Sequence, residues 1–509
     1  MSDPEPTRVE VAVIGAGFGG IGAGIRLRDA GIEDFVILDR ADRVGGAWQA
    51  NTYPDVAVDI PMCSYAFSFE PNLLSARTYP TGDEIQAYAE SCVDKYGLRA
   101  HLRLNTKVIG LAFDEREHMW DVRTSAGPVR ARFVIVAHGP LVQPRTPDIE
   151  GLDSFAGTVI HTARWDHDHD LEGAGVGVIG TGSSAVQLIP PVAERAKRLH
   201  VFQRSAVWVV PKLDLPVPRA LRWVFRMLPL ILRVIRFQID VMHELIAYFA
   251  FRRKLPATVR LIERLSLNAM RKQVPDERLR AQLTPDYRYG CKRPSISSNY
   301  HRTFTRDNVE LVTDPIVRVT ETGILTADGE HRELDTIVLA TGFRVFGRGA
   351  NPPFPILGRD GVDLADYYET NRSGAYEGVT LPGWPNSFSV LGTTYSFTSL
   401  YFPMIENSTR HAVRCIREMY ARGATCVEIK AEPHAEFVRD MRRRQSTSVF
   451  LTGACTTSTF LDQHGDSPVF RPTTALTARW RSGHFPLEHY SFTTKIATDQ
   501  GSSQDRSQS

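Results

Sequence analysis

The sequence predicts an α/β protein of two parallel-sheet units with a helical insertion. Three observations lead there: short apolar runs recur between helical stretches, two of these runs close in glycine-rich turns, and the strand signals stop over a long arginine-studded stretch.

The first apolar run, residues 9–14, leads into Gly15-Ala16-Gly17-Phe18-Gly19-Gly20, then to a helical stretch and the strand Phe35-Val36-Ile37-Leu38, which ends in Asp39 and Arg40. Glycines at Gly15, Gly17 and Gly20 permit the tight turn and bring the backbone against a pyrophosphate at the positive end of the following helix. An acid at Asp39 accepts hydrogen bonds from free ribose hydroxyls and repels a 2′-phosphate. The site, with Arg40 beside it, therefore suits FAD or NAD.

Residues 176–179 lead in the same way into Gly180-Thr181-Gly182-Ser183-Ser184-Ala185, and the next strand, Leu199-His200-Val201-Phe202-Gln203, ends in Arg204 at the same offset. A guanidinium there pairs bidentately with a 2′-phosphate. Gly180, Gly182, Ser183, Ser184 and Arg204 thus suit NADPH, and the pair of turns reads as two Rossmann-like dinucleotide-binding domains.

A buried strand over 132–139 ends in Gly139 and is followed by prolines through Pro147, which fits a domain crossover; a further strand over 336–342 ends in Gly342. The expected order is a first FAD segment over 1–145, an NADPH domain over 146–335 with helices at about 212–285, a second FAD segment over 336–490, and a disordered tail over 491–509, whose last residues are rich in Ser and Gln. Within the insertion, the spacing of Arg219, Arg222, Arg226, Arg233 and Arg236 places them along one helical face, and Pro229 is expected to kink it. No uncharged span reaches ~18 residues, so a spanning helix is not expected. The segment reads first as a lid or subunit contact. Peripheral membrane contact through about 219–240 is the alternative.

A chain of 509 residues with 42% hydrophobic and 23% charged residues supports two or three cored domains. Its formal charge of +2 argues against nucleic acid as a partner. The six cysteines include no Cys-x-x-Cys pair, so they read as reduced, packed thiols with no metal site and no dithiol relay. The short polar start, Met1 to Arg8, carries no signal peptide and implies a cytoplasmic protein.

The stretch from Phe155 to Asp166 matches Phe-x-Gly-x-x-x-His-x-x-x-Trp-(Pro or Asp) at Phe155, Gly157, His161, Trp165 and Asp166. It resembles the fingerprint of type I Baeyer–Villiger monooxygenases; the sister flavin-containing N- and S-oxygenases carry Tyr or Phe at Trp165. A second family pattern is approximated by Gly46, Trp48, Tyr53, Pro54 and Asp59, departing at Asp55, where the family has Gly or Met. Tyr289-Gly290-Cys291-Lys292-Arg293-Pro294 is similar to the family segment that carries its essential arginine. The resemblance therefore implies FAD and NADPH as cofactors, Arg293 and Asp59 as the catalytic pair, Lys292 joining Arg204 on the 2′-phosphate, and Gly46 and Trp48 at the flavin. His161 and Trp165 are expected as linker residues between domains. Beyond Leu391 the loop departs from the family.

The implied reaction inserts one oxygen atom of O2 beside the carbonyl of an apolar ketone to give an ester or lactone, through a C4a-peroxyflavin. An electrophilic N- or S-oxygenase on the same scaffold is the alternative, and an uncoupled NADPH oxidase or flavin-binding protein comes third. Taken without the resemblance, Arg293 is a surface arginine near a loop, and Asp59 caps a turn before Ile60-Pro61.

Overall fold

A computed structural model describes residues 5–251, 256–345, 352–394, 401–452 and 461–495, with Gly347 and Gly349 between. The β-branched runs of the sequence form the centres of two sheets, in agreement with the α/β class expected. In the first sheet, Thr7–Ile14 lies between Phe35–Leu38 and Val129–Val136, all parallel. Val129–Val136 also receives the antiparallel strand Met119–Thr124 along its first half and the parallel strand Ser387–Ser389 along its second. Strands from distant parts of the chain therefore share one sheet, which Ile356–Leu357 extends at its edge.

The second sheet has five strands, in the order Val309–Val312, Arg198–Phe202, Gly175–Ile179, Thr336–Leu339, Thr158–His161. All neighbours are parallel. In such a sheet the order reverses beside the first strand of the unit, and ligands bind in the crevice beyond the carboxyl ends there.

Each glycine-rich turn sits at that crevice. Gly15 and Gly180 have φ of 109° and 119°, which L side chains rarely adopt. A Cβ on Gly20 would stand 1.8 Å from the Gly15 carbonyl oxygen, so only glycine lets the helix Phe18–Asp29 pack against its own strand. That helix is buried against the helix Tyr401–Ala421 through Phe18, Phe67 and Phe402, whose rings meet edge to face.

The two crossings between the units pair with each other: Gln143–Pro144 and Phe343–Arg344 form an antiparallel ribbon. The insertion forms the helices Arg219–Met227, Pro229–Phe251, Pro256–Gln273 and Glu277–Leu283. No helix of the described residues is long and apolar enough to cross a membrane.

Four expectations are corrected. Pro229 does not kink a continuous helix. It breaks it, because Leu228 leaves helical geometry (φ −124°, ψ 67°) and Pro229 opens the next helix, where its missing N–H costs nothing. The five arginines do not share a face, since that break changes the phase: Arg222 and Arg236 turn inward to the carbonyls of Leu74 and Phe67, at 2.9 and 3.0 Å, and Arg219, Arg226 and Arg233 stay exposed. The tail does not begin at 491, because Tyr490–Thr493 is a strand paired antiparallel with Cys426–Ile429; residues 496–509 lie outside the described ones. Cys291 is disulfide-bonded, its sulfur brought by the fold into a fully buried cluster with Val449 and Phe470; Cys63, Cys92, Cys415 and Cys426 are free and buried as expected.

Replacing Gly20 with alanine is expected to lower stability by about 1–3 kcal/mol through overpacking against Gly15. Thermal denaturation checks this, and an unchanged midpoint would contradict the close approach.

Candidate functional site

The end of the first strand and the end of the second build one half of the site. Asp39 lies over the first turn, accepting from the Ala16 N–H at 2.6 Å and from Ala41 N–H at 2.9 Å. Gly17 caps the following helix with no side-chain bond, which leaves the helix N–H groups directed at the crevice. Gly46, at φ 60°, comes so close that a Cβ would sit 3.0 Å from Gly17 Cα. Arg40 is exposed and reaches the Val142 carbonyl at 3.3 Å, on the crossover.

The second turn repeats the design. Gly182 caps the helix Ser183–Arg195 without a side-chain bond, and a Cβ there would meet open space. Thr181 Oγ1 donates to Ser205 O at 2.9 Å, and Ser183 Oγ lies 3.2 Å from Ser295 Oγ. Residues 287–296 run along 205–210, held by Trp208 Nε1 on Tyr287 O and by a short parallel pairing of Val209–Val210 with Ser295–Ile296. This alignment brings Lys292 to Ser205 Oγ at 2.8 Å and into the field of Arg204. Burial, and then the Arg204 charge, hold the Lys292 ammonium below the usual lysine range. Lys292 and Arg204 thus bring two positive charges close together beside Ser205, whose carbonyl bonds Thr181 of the glycine-rich turn.

Arg293, the next residue, turns the other way. Its Nε donates to Asp59 Oδ2 at 3.1 Å and its Nη2 to Oδ1 and Oδ2 at 2.7 and 2.6 Å. The Arg293 side chain is 50% exposed and Asp59 20% exposed, so the pair is open to solvent. A pair this open adds at most about 1 kcal/mol to folding. Its value is directional: the bidentate fork fixes the guanidinium plane.

Asp59 belongs to a loop gripped by the second unit. Gln187, on the helix Ser183–Arg195, accepts from Tyr53 Oη at 2.9 Å and from Ala57 N–H at 3.3 Å, and donates to Ala57 O at 2.8 Å. Burial pushes the Tyr53 hydroxyl up to about 12, which keeps it a donor. Asp55 has φ 60° and is exposed; it holds a left-handed turn of the kind that glycine adopts most readily, and its side chain faces water.

Trp48 donates to Tyr65 Oη at 2.8 Å, and Tyr65 stacks on Tyr401 with centroids 5.7 Å apart. Burial and then Tyr401 hold the Tyr65 phenol well above its usual range, with smaller effects from Asp59 and Arg293. An aromatic wall thus stands beside the ion pair.

The fingerprint residues make contacts of their own. His161 Nδ1 accepts from Ala163 N–H at 3.0 Å, its Nε2 lies 3.4 Å from Thr341 Oγ1, and its ring meets Phe343 on the crossover ribbon. Burial lowers its pKa. Gly157 is required because a Cβ would stand 2.3 Å from Asp335 O, and Trp165 packs on the second core. The divergent loop is described only through Thr394; Leu391 and Thr394 have φ of 59° and 65°.

Gln187, Tyr65, Tyr401 and Ser205 were not singled out as site residues from the sequence. Each acts across a gap between distant segments, and no local spacing marks them.

A family model described as pyridine nucleotide-disulphide oxidoreductase matches residues 12–217. Cys63 and Cys92, the cysteines of that span, are both free, so the match carries the nucleotide-binding frame without a dithiol. A Baeyer–Villiger monooxygenase of Streptomyces coelicolor is 38% identical over 486 residues, covering 95% of this chain and 92% of its own. A cyclohexanone 1,2-monooxygenase of an Acinetobacter species is 32% identical, covering 84% and 86%. Among solved structures, an oxidised steroid monooxygenase bound to NADP superposes with a TM-score of 0.85 at 31% identity, over 96% of this chain and all of the other.

The fold and site define a flavoprotein monooxygenase. The chain belongs to the Baeyer–Villiger monooxygenase family.

Gln187→Ala removes the partner of a buried tyrosine hydroxyl and of the Ala57 peptide. It is expected to cost about 1–3 kcal/mol of stability, measured by denaturant unfolding, and to raise proteolytic cleavage in 53–59.

Proposed function

We propose that this protein uses FAD and NADPH to insert one oxygen atom of O2 beside the carbonyl of an apolar ketone, giving an ester or lactone by the C4a-peroxyflavin route. The observation that carries the reading is the bidentate Arg293–Asp59 pair beside the aromatic wall, between the two glycine-rich turns. The turns suit the cofactors: both helix N-termini lack side-chain caps, Asp39 stands where a ribose diol would bond, and Arg204 with Lys292 matches a 2′-phosphate.

Bound at the first turn, FAD would supply the oxygen activation, with NADPH at the second as the source of electrons. The protein tunes it. A guanidinium keeps its charge at every working pH, so Arg293 stabilises negative charge on the attacking oxygen and on the tetrahedral adduct of the ketone. Asp59 orients that guanidinium and balances it between turnovers. A fixed positive charge favours a deprotonated, nucleophilic oxidant, which attacks carbonyls, over the protonated form that oxidises amines and sulfides. Trp48, Tyr65 and Tyr401 offer an apolar wall, and the insertion covers the cleft from the side of residues 62–63. Nothing in these contacts favours the N- or S-oxygenase or the uncoupled oxidase.

The test mixes the NADPH-reduced protein with oxygen and either a ketone or a sulfide, following flavin absorbance and product. Ester formation with ketone-accelerated flavin reoxidation supports the reading; acceleration by sulfide alone, or stoichiometric hydrogen peroxide with both, overturns it.

Arg293→Ala is expected to abolish ester formation while FAD stays bound, and product analysis at the parent rate in that variant would remove Arg293 from the mechanism. Lys292 yields a pH prediction. The 2′-phosphate needs its charged form, and the lowered pKa means that this form is lost earlier than for an ordinary lysine as pH rises, so the preference for NADPH over NADH falls with rising pH. In Lys292→Met the KM for NADPH rises roughly 10-fold and the alkaline loss of preference flattens.

A further inference from the structure

The insertion buries one side only. Phe225 and Leu232, with Ile235 and Ile239, pack on Met62, Cys63 and Val217. The opposite side of the helix Pro229–Phe251 carries Leu230, Val234, Phe237, Val241 and Leu245, spaced three or four apart and all exposed, Leu230 at 69% and Phe237 at 62%. Trp223 on the preceding helix is 61% exposed, and Leu261 and Leu265 on the following one are exposed as well. Scattered apolar residues on a surface need no explanation; a continuous stripe over three helices does.

On the three helices that carry the stripe, the exposed charges have one sign. Arg219, Arg226, Arg233, Arg260 and Arg264 are exposed. The carboxylates of these three helices are drawn inward: Asp240 pairs with Arg236, Glu244 accepts from the Ala475 N–H at 2.9 Å, and buried Glu263 pairs with Arg288. Among the described residues from 215 to 273, no carboxylate is exposed.

We propose that this face docks the protein on an anionic lipid surface, with Trp223, Leu230 and Phe237 entering the interface and the outer arginines meeting lipid headgroups. A tryptophan and a phenylalanine between arginines suit the headgroup boundary, where an apolar body and a positive rim are both satisfied. A second copy of the chain fits less well, because a two-fold contact would set arginines against arginines with no acid between them. Docking also has a consequence for access. The inner side of these helices lies on residues 62–63, a few positions beyond Asp59, so the cleft would be held near a bilayer in which apolar ketones concentrate. That consequence rests on the proposed reaction; the docking itself does not.

The experiment is flotation of the FAD-loaded, full-length protein with vesicles of phosphatidylcholine alone or with about one-third phosphatidylglycerol, at low salt and at about 0.5 M salt. The expected result is co-flotation with the anionic vesicles only, weakened by salt, with no dependence on NADPH or ketone turnover. Leu230→Asp with Phe237→Asp should abolish it, and Arg219→Gln with Arg226→Gln and Arg233→Gln should weaken it roughly 10- to 100-fold. All five side chains are exposed, so flavin content and melting temperature should stay at parent values, and the bound fraction reads the face alone. Absence of binding to anionic vesicles overturns the proposal, as does equal binding to neutral ones. Self-association in sedimentation velocity that the Asp variants dissolve, without vesicle binding, would assign the face to a second copy instead. Loss of ketone oxidation with vesicle binding intact would count against the proposed reaction and leave docking standing.

Discussion

The loop of residues 53–59 carries the contact on which the arrangement of the two units depends. It leaves the first unit just beyond the close approach of Gly46 to Gly17, and it is gripped from the second by Gln187, whose amide satisfies a tyrosine hydroxyl and both polar atoms of the Ala57 peptide. Asp59 then meets Arg293 from the segment that follows the helical insertion. A side-chain amide that exchanges three hydrogen bonds with one loop is directional in a way that apolar packing is not. Any slide of one unit over the other would break these bonds together, and would swing the Arg293 guanidinium away from the aromatic wall.

The two crossings of the chain are the second tie. Because Gln143–Pro144 pairs with Phe343–Arg344, the path out of the first sheet and the path back into it form one ribbon. His161 sits against that ribbon through Thr341 and Phe343, with its ring nitrogen also turned to the backbone of its own turn. The rest of the fingerprint is fixed by close packing. Its glycine is forced by the Asp335 carbonyl and its tryptophan by the second core, so the motif reads the junction of the units.

Charge is distributed with the same economy. The residues 287–296 lie along 205–210, and successive side chains of that stretch face opposite ways: Lys292 to Ser205 beside the second turn, Arg293 to the carboxylate of the first unit. One extended segment therefore joins the second glycine-rich turn to the ion pair. The insertion spends its arginines in two ways, with Arg222 and Arg236 closing carbonyls at 67–74 and the others left outward. The break at Leu228 and Pro229 produces that division, since it rotates the second helix relative to the first.

Residue order alone determined the class of fold and the two dinucleotide turns, because those depend on local rules: strand, glycines at fixed offsets, helix, then an acid or a base at the next strand end. It determined the family as well, since Phe155, Gly157, His161, Trp165 and Asp166 match the spacing of the family fingerprint. Tertiary structure alone decided that Gln187 holds the 53–59 loop, that Tyr65 and Tyr401 form a wall, that Cys291 is bonded in a buried cluster, and that Tyr490–Thr493 belongs to a sheet. Each of these joins segments far apart in the chain, and pairing at such separation is set by how the sheets and helices pack, which no local pattern of residues encodes.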